Sequence, residues 1–440
     1  MEIRLPEWAE RAIFTLENRG YEAYAVGGCV RDALLGRPLN DIDVTTSAPP
    51  EAVKAAFVGC PVIETGIKHG TVTVLVDRNP IEITTYRSET GYADGRHPDA
   101  VTFGCSLVED LARRDFTVNA MAYHPVRGLV DQFGGREDLA RRIIRCVGEP
   151  QRRFEEDALR ILRALRFSSV LDFDIDKATE NALRACAPRI AMVSVERIAS
   201  ELTRLLTGAR AGAILREYPS VLGVFLPELL PAVGFDQHNY HHKYNVLDHI
   251  AAVVDAAPAE PILRLAALLH DVGKPSCFSL DGEGVGHFYG HATRSAEMAD
   301  TILHRLRYDN HTTEEVTLLV RHHDGPIEED KRAVRRKMAK LGTERFFRLL
   351  ALQRADCMGQ ADWLRDRLKH YDALETIARE ICTDEECLSV GKLAVNGHDL
   401  MALGYQGRAI GDTLRTLLDA VLSEHVKNEK DALLAFLAKQ

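Results

Sequence analysis

Residues 24 to 46 read YAVGGCVRDALLGRPLNDIDVTT and decide the fold predicted for the first part of this 440-residue chain. A short apolar run ends at Gly27-Gly28, which predicts a strand that turns tightly into a helix. Glycine lets a phosphate come close to the backbone, and the N–H groups at the start of a helix can receive it. The stretch therefore predicts a phosphate-binding turn.

Two carboxylates follow this turn, in the segment Asp41-Ile42-Asp43-Val44. The period of two places both carboxylates on one face of a strand and both aliphatic side chains on the other. Adjacent carboxylates are hard oxygen ligands that suit Mg²⁺. Together with the glycine turn, Asp41 and Asp43 predict a site for a nucleoside triphosphate and its metal.

Three later segments extend the pattern: RRDFTVNAM at 113–121, EDALRILRALRF at 156–167 and SVERI at 194–198. With the first stretch, and in this order, they resemble the successive motifs of the class II tRNA nucleotidyltransferases. These are the CCA-adding enzymes and the related bacterial poly(A) polymerases. The resemblance implies a template-independent enzyme that builds or repairs the 3′-terminal CCA of tRNA, with the tRNA 3′ end, CTP and ATP as its partners.

The resemblance also implies roles for particular residues. Glu82, in the alternating segment Ile81-Glu82-Ile83, matches a third metal carboxylate, so Asp41, Asp43 and Glu82 are predicted to be catalytic. Without the resemblance, Glu82 reads as a solvated strand residue and Asp115 as the cap of the following helix. The predicted nucleotide-binding residues are Gly27, Gly28, Arg31, Arg114, Asp115, Asn119, Glu156, Asp157, Arg160 and Arg163.

The segment Glu155–Phe167 can be interpreted from its own residues. Its period near 3.6 predicts one helix, with an apolar stripe opposite the charged side chains of Glu156, Asp157, Arg160 and Arg163. Asp157 can accept from the exocyclic amine shared by cytosine and adenine, while Arg160 can donate to the ring nitrogen beside it. Guanine and uracil present a carbonyl at that edge and would be rejected. The alternative is a solvated face with ion pairs along the helix.

A second distinctive segment, YRSETGYADGRHPDAVTF at 86–103, contains glycine and proline breakers and many polar groups. This composition predicts a mobile loop. The segment resembles the flexible loop of CCA-adding enzymes, which implies that it couples movement of the head to the choice of the final base.

Histidines concentrate between His238 and His323. Their order, with an adjacent His-Asp in LLHDVGKP, resembles that of the HD superfamily of metal-dependent phosphohydrolases. Imidazole ligands favour Mn²⁺, Ni²⁺, Co²⁺ or Zn²⁺, whereas Mg²⁺ is expected in the head. The resemblance leaves two alternatives, an active phosphohydrolase or a retained scaffold. The predicted ligands are His249, His270, Asp271, His291, His322 and Asp356.

Together these patterns predict an α+β protein with a small mixed-sheet head followed by helical domains. The predicted domains are a nucleotidyltransferase head at 1–148, a helical neck at 149–229, an HD domain at 230–364 and a helical tail for tRNA binding at 365–440.

The charge of the chain restricts the classes of function that it can have. The net charge of −10 argues against a general polyanion binder, although residues 136–166 carry nine arginines against six acids. This basic strip fits one defined RNA end. No leader or long apolar run stands out, so we expect a cytoplasmic protein without membrane contact, and no obligatory protein partner is evident. The alternative functions are a poly(A) polymerase, an A-adding enzyme, or an HD phosphohydrolase or nucleotide sensor whose head only binds ligand.

Overall fold

The computed structural model describes residues 3–39, 41–90, 100–383 and 388–438. The chain divides into two compact units: an N-terminal unit of Met1–Arg210 with Ser220–Pro227, and a C-terminal unit of Ala211–Pro219 with Glu228–Gln440. The predicted domain boundaries at 148/149, 229/230 and 364/365 stay predictions.

A seven-stranded mixed sheet forms the centre of the N-terminal unit, in the order β3-β4-β5-β2-β1-β8-β9. Strands β2 and β5 are parallel, and the other neighbours are antiparallel. Alternation decides which face is buried: Ile42 and Val44 lie in the core, while Asp43 between them is only partly buried. The strands of this unit, of which β6, β7, β10 and β11 lie outside the seven-stranded sheet, are β1 Ala23–Val26, β2 Ile42–Thr46, β3 Val62–Ile63, β4 Thr71–Val76, β5 Asn79–Thr85, β6 Arg87–Thr90, β7 Ala100–Phe103, β8 Ala122–His124, β9 Gly128–Val130, β10 Ile143–Ile144 and β11 Asp174–Ile175.

Helices complete this unit. Helices α7 and α9 pack closely enough for the Ser169 hydroxyl to donate to the Leu205 carbonyl at 2.7 Å. The predicted α+β class, with a mixed-sheet head followed by helices, is therefore confirmed. The helices are α1 Glu7–Glu17, α2 Gly28–Leu34, α3 Pro50–Ala56, α4 Leu107–Ala112, α5 Gly135–Arg141, α6 Pro150–Glu156, α7 Leu159–Leu171, α8 Lys177–Cys186 and α9 Val195–Leu206.

Among the residues that the structure describes, the C-terminal unit consists of helices and loops apart from one short hairpin, β12 Ser279–Leu280 with β13 Gly286–His287. Helix α11, Pro219–Leu222, lies at the border between the two units. Within the described ranges, none of the helices is both long and apolar enough to cross a bilayer. The remaining helices are α10 Ala211–Glu217, α12 Val246–Ala256, α13 Pro261–Leu269, α14 His291–Arg305, α15 Asn310–His322, α16 Lys331–Leu341, α17 Thr343–Gly359, α18 Leu368–Thr383, α19 Gly397–Ala402, α20 Arg408–Leu422 and α21 Lys430–Leu437.

The ends of the predicted mobile loop form a small antiparallel ribbon. Strand β6 pairs with β7, with Arg87 opposite Phe103. Residues 91–99 lie outside the described residues, so the role of this segment in base choice stays a prediction.

Candidate active sites

A glycine turn joins the first strand of the sheet to the first helix of the site. Strand β1 ends at Val26, and Gly27 takes φ +79° before helix α2 begins at Gly28. A Cβ on Gly27 would lie 2.9 Å from Arg114 Nη1, so the turn and this guanidinium are in close contact. The predicted strand, turn and helix are confirmed, and Arg114 is placed beside the predicted phosphate-binding backbone.

Two of the three predicted catalytic carboxylates, Asp43 and Glu82, lie on neighbouring strands, and Asp41 immediately precedes β2. Strand register places Asp43 of β2 directly opposite Glu82 of β5. The pKa of Asp43 is raised to about 6, mainly by burial, with the charges of Glu82 and Asp41 adding to the rise and that of Arg114 opposing it. Mutual repulsion of this kind is relieved by a bound cation.

This donor set fits a hard divalent cation. All the ligand atoms are carboxylate oxygens, which Mg²⁺ prefers. In the described part of the chain, these three carboxylates do not form a group whose ligand atoms all lie within 4.8 Å of one another. Mg²⁺ is usually held by one or two carboxylates and completes its shell with substrate phosphate and water. Asp41 and Asp43 can provide such a partial site.

A chain of hydrogen bonds connects four of the predicted nucleotide-binding residues. Arg31 Nη1 donates to Asn119 Oδ1 at 2.7 Å, and Asn119 Nδ2 donates to Asp115 Oδ1 at 3.2 Å. Asp115 Oδ2 then accepts from Arg163 Nε at 2.7 Å. Burial acts to raise the pKa of Asp115, but the charge and hydrogen bond of Arg163 outweigh it and lower the pKa to about 2. Asp115 therefore anchors a charged network instead of capping an α-helix.

Three arginines surround the ring of Phe167, a residue without a role in the sequence-based prediction. The guanidinium carbons of Arg166, Arg31 and Arg163 lie 4.0, 5.2 and 5.4 Å from the ring centroid. They line a cavity of about 820 Å³ together with the glycine turn, Asp41 and Asp43. This cavity can hold an anionic ligand the size of a nucleotide.

The prediction of one continuous helix over Glu155–Phe167 is wrong, because the segment forms parts of two helices. Helix α6 ends at Glu156, Asp157 is extended with φ −145° and ψ 106°, and α7 begins at Leu159. The reason is local: Asp157 Oδ1 accepts from the backbone N–H of Leu159 at 3.0 Å, and such a bond competes with the helical pattern.

The break separates the pair that was predicted to read the base. Asp157 Oδ2 accepts from Arg197 Nη2 at 2.8 Å, while Arg160 Nη1 donates to Glu156 Oε2 at 2.7 Å. Both side chains therefore have protein partners in this structure. Their role in base choice stays a proposal.

Gly27 offers a direct test of the turn. We expect Gly27→Ala to lower nucleotide incorporation, because φ +79° strains an alanine by roughly 1–3 kcal/mol and its Cβ would displace Arg114. Gly28→Ala is the comparison, since its Cβ would meet only Arg31 Nη2 at an ordinary 3.7 Å. Initial rates with CTP and ATP would measure both, and an equal loss in the two variants would contradict this account.

In the C-terminal unit, three of the four predicted histidines and one further histidine converge on one buried carboxylate. His249 and His270 place Nε2 3.2 Å from Asp271 Oδ2, while His291 and His323 place Nε2 3.4 and 3.6 Å from Oδ1. Asp356 Oδ1 lies 2.9 Å from His249 Nε2. We call these residues the histidine centre: His249, His270, Asp271, His291, His323 and Asp356.

Each imidazole of the histidine centre is oriented by the backbone. The Nδ1 atoms of the four histidines lie 2.7–3.1 Å from carbonyl oxygens, in the pairs His249–Gly359, His270–Ala267, His291–Phe288 and His323–Val320. A proton on Nδ1 donates to the carbonyl and leaves the Nε2 lone pair directed at the centre, as in metal-ligating histidines. Within the histidine centre, the ligand atoms of His249, His270 and Asp271 all lie within 4.8 Å of one another. The same holds for the ligand atoms of Asp271, His291 and His323. These nitrogen and oxygen donors would fit one or two transition-metal ions.

One predicted ligand is placed elsewhere. His322 was named from the sequence, but the structure brings its neighbour His323 to Asp271. His322 ends helix α15 on a different face, where burial and the charges of Lys337 and Lys340 lower its pKa. A cationic environment of this kind opposes metal binding. The correction therefore replaces His322 with His323 in the candidate ligand set.

A cavity of about 410 Å³ opens onto the histidine centre. Buried Lys274 lines it, with Nζ 2.7 Å from Asp271 Oδ2 and donating to Gln237 Oε1 at 3.0 Å. His242, which the sequence-based ligand set did not include, lines the same cavity. Metal ligands and a cation beside one cavity suit a phosphate group.

The fold and the glycine–carboxylate site of the N-terminal unit define a nucleotidyltransferase head. Family models agree: the poly(A) polymerase head domain matches residues 23–145. "Probable RNA and SrmB- binding site of polymerase A" matches 172–231, and tRNA nucleotidyltransferase domain 2 matches 288–437.

Curated relatives are similar over part of their length. The CCA-adding enzyme of Geobacillus stearothermophilus is 50% identical over 217 residues, which cover 49% of this chain and 53% of that protein. That of Limosilactobacillus reuteri (strain DSM 20016) is 49% identical over 212 residues, covering 48% of this chain and 52% of that protein. These alignments span about half the length of the curated relatives.

Solved structures match over nearly the whole chain. The crystal structure of the Bacillus stearothermophilus CCA-adding enzyme in complex with CTP matches with a TM-score of 0.74 and 31% identity, covering 99% of this chain and 98% of that chain. The Thermotoga maritima CCA-adding enzyme complexed with tRNA, 20% identical with a TM-score of 0.58, shares the fold over 100% of this chain and 97% of that one. The chain therefore belongs to the tRNA nucleotidyltransferase family that includes the CCA-adding enzymes.

Proposed function

We propose that this protein adds or repairs the 3′-terminal CCA of tRNA, using CTP and ATP and releasing pyrophosphate. The main support is the match, over almost the full length of both chains, to a CCA-adding enzyme whose structure was solved with CTP. The strand register that sets Asp43 opposite Glu82, next to the glycine turn, supplies the carboxylates that such a reaction needs.

Each group of the N-terminal unit has a defined task in this proposal. Asp41 and Asp43 hold the divalent cation, with Glu82 as the third carboxylate. Mg²⁺ bound there would position the α-phosphate, lower the pKa of the attacking 3′-hydroxyl and offset the charge of the leaving pyrophosphate. The Gly27-Gly28 turn lets the triphosphate approach the backbone, with Arg114 beside it. Asp115 and Asn119 keep Arg31 and Arg163 in place along the cavity.

We assign base choice to Asp157 and Arg160, with Glu156 as a supporting residue. Asp157 offers an acceptor for the amine of cytosine or adenine, and Arg160 offers donors for the adjacent ring nitrogen. The carboxylate of Glu156 orients the Arg160 guanidinium through its 2.7 Å contact. Arg160 also donates to the backbone carbonyls of Arg153 and Arg113, which makes a purely structural role the competing explanation.

These explanations give different results for Arg160→Ala. If Arg160 reads the base edge, the variant should accept UTP and GTP more readily, since a bidentate base contact is worth roughly 1–3 kcal/mol of discrimination. The measurement is kcat/KM for all four nucleoside triphosphates. An equal loss for all four would assign Arg160 to the scaffold or to phosphate binding.

The proposed function is tested with tRNA that lacks its last three nucleotides. CTP alone should extend this tRNA by two residues, and CTP with ATP by three, after which addition should stop. Product lengths on a sequencing gel give the answer. Repeated addition of A would support a poly(A) polymerase, and addition of A only to a CC end would support an A-adding enzyme.

The histidine centre supports a second function, a phosphohydrolase that needs a transition metal. We propose substrates with 2′,3′-cyclic phosphates, 2′-phosphates or phosphorylated RNA ends, so that one protein could clean and then extend a damaged 3′ end. His249, His270, Asp271, His291, His323 and Asp356 would hold Mn²⁺, Ni²⁺, Co²⁺ or Zn²⁺, which supplies hydroxide near neutral pH. Lys274 would contact the phosphate.

The predicted division of the chain is part of the proposal. Residues 1–148 would form the catalytic head, 149–229 the neck, 230–364 the HD domain and 365–440 the tail on which the tRNA body rests. The observation that favours a separate tail is its own small core, formed by Leu393, Val395, Leu400, Leu417 and Leu433.

A further inference from the structure

Large aromatic side chains are exposed around the cavity of the histidine centre. Tyr289 is 77% exposed, Tyr240 70% and Trp363 58%. Exposed aromatic rings of this size often mark binding surfaces, because their apolar faces remain in contact with water until a ligand covers them. None of the three is among the candidate metal ligands.

The first pair of rings borders the cavity itself. His287 and Tyr289 both line it, with centroids 5.3 Å apart and planes 9° from parallel. His287 Nε2 donates to Asp281 Oδ2 at 2.8 Å, which fixes the orientation of the imidazole. We call His287 and Tyr289 the first platform.

A second group of rings lies where two other segments meet. Tyr240 and Trp363 are 16° from parallel with centroids 6.2 Å apart, and His241 lies 5.1 Å from Trp363. The Ala361 N–H donates to the His241 carbonyl at 3.0 Å and holds the two segments together. We call Tyr240, His241 and Trp363 the second platform.

One residue connects both platforms to the same opening. Asn239 lines the cavity, donates through Nδ2 to the Gly286 carbonyl at 3.0 Å, and accepts at Oδ1 from the His241 N–H at 3.0 Å. The first platform follows Gly286 in sequence, and the second platform follows Asn239. The second platform does not line the cavity, but Tyr240 directly follows Asn239, which does, so both platforms lie beside the same opening.

The space beyond the histidine centre exceeds what one phosphate needs. A second cavity of about 370 Å³ shares His323, Asp324, Asp356 and Gln360 with the first. Arg367 lines this second cavity and brings a cation near the shared residues. An extended strand with stacking bases matches the two connected cavities and the exposed rings of this region better than a lone phosphate does.

We propose that the histidine centre acts on the end of a single-stranded RNA, with the terminal phosphate at the centre and the following bases stacked on the two platforms. The proposal rests on the phosphohydrolase function above, selects the RNA end from the substrates proposed there, and assigns the binding of the strand to the two platforms. Stacking on aromatic faces tolerates any base, which suits RNA ends of varied sequence. In the reaction a water oxygen bonds to phosphorus, the bond from phosphorus to a ribose oxygen breaks, and that oxygen takes the proton.

Stacking of RNA bases on the platforms can be measured without bound metal and without turnover. The chain has two tryptophans, so Trp8→Phe leaves Trp363 as the fluorescent reporter. Titration of this metal-free protein with a short single-stranded RNA should quench Trp363. In the same background, Tyr289→Leu should weaken the RNA binding that the quench reports by about 5- to 100-fold, and Tyr289→Phe, which keeps the ring, should restore it.

Turnover gives the second measurement. With Mn²⁺ present, kcat/KM should be higher for an RNA ending in a 2′,3′-cyclic phosphate than for 2′,3′-cyclic AMP, and Tyr289→Leu should reduce this ratio. Hydrolysis of 2′,3′-cyclic AMP without any Trp363 response to RNA would overturn the strand proposal and leave the phosphohydrolase function standing. A Trp363 response without hydrolysis of either substrate would overturn the phosphohydrolase function, and with it the assignment of the terminal phosphate to the centre.

Discussion

Replacing Asp43 by asparagine should reduce incorporation of both CTP and ATP by roughly 10³-fold, because metal-assisted charge stabilisation is worth several kcal/mol and each 1.36 kcal/mol is a factor of ten. Asp41→Asn should be nearly as severe. Asparagine keeps the size of the side chain and removes the charge that holds the cation. Single-turnover rates at saturating Mg²⁺ would measure the effect on chemistry apart from substrate binding.

Stability and tRNA binding serve as controls for this prediction. Asp43 lies opposite Glu82, so asparagine relieves repulsion between two carboxylates, and the unfolding temperature of the metal-free protein should not fall. Binding of tRNA should also persist, since docking uses other surfaces. Glu51→Gln, an exposed acid of helix α3, is the matched variant and should retain activity. Near-normal turnover of Asp43→Asn would remove Asp41 and Asp43 from the metal site.

Much of the geometry of the head could be predicted from local sequence patterns. The glycine turn and the Asp-Ile-Asp-Val alternation each concern consecutive residues, so period and turn chemistry were enough to predict their geometry. The position of Glu82 could not be predicted from local sequence, because β5 pairs with β2 although an α-helix and two strands separate them along the chain. That parallel pairing has no local signal, and only the family resemblance led to Glu82.

Two predictions were wrong although the sequence contained signals for the correct result: the choice of His322 and the unbroken helix over Glu155–Phe167. In helix α15 the buried Val316, Leu319 and Val320 continue with His323 at the next helical positions, so helical phase favours His323 over His322. Similarly, Asp157 stands just before a run of apolar periodicity, which is where a helix-capping aspartate is expected. The resemblance to a motif decided the choice of His322, whereas the single helix over Glu155–Phe167 followed from its period, which hid the break at Asp157.

Other features depend on distant segments and could not be predicted. The arginines around Phe167 come from α2 and α7, and the platforms involve residues 240, 241, 287, 289 and 363. Asn239 links these segments through a backbone carbonyl, a contact without any pattern in the sequence.

The second large effect concerns the histidine centre. Asp271→Asn should lower transition-metal affinity by roughly 100-fold or more, since loss of even an outer partner of a metal ligand costs 10–100-fold and Asp271 faces all four imidazoles. Hydrolysis of 2′,3′-cyclic AMP should fall with it, while CCA addition should continue. Elemental analysis after dialysis against Mn²⁺ or Zn²⁺ would give the metal content directly.

Neighbouring histidines supply the sharpest control for the ligand set. His323→Asn should lose metal in the same way, because its Nε2 lies 3.6 Å from Asp271 Oδ1 and its Nδ1 is anchored on the Val320 carbonyl. His322→Asn should keep both metal and hydrolysis, since that side chain lies among lysines. The reverse result would restore His322 as the ligand. A wild-type protein that binds none of these metals and hydrolyses none of these substrates would make the histidine centre a scaffold, with its polar core held together by the imidazole–carboxylate contacts alone.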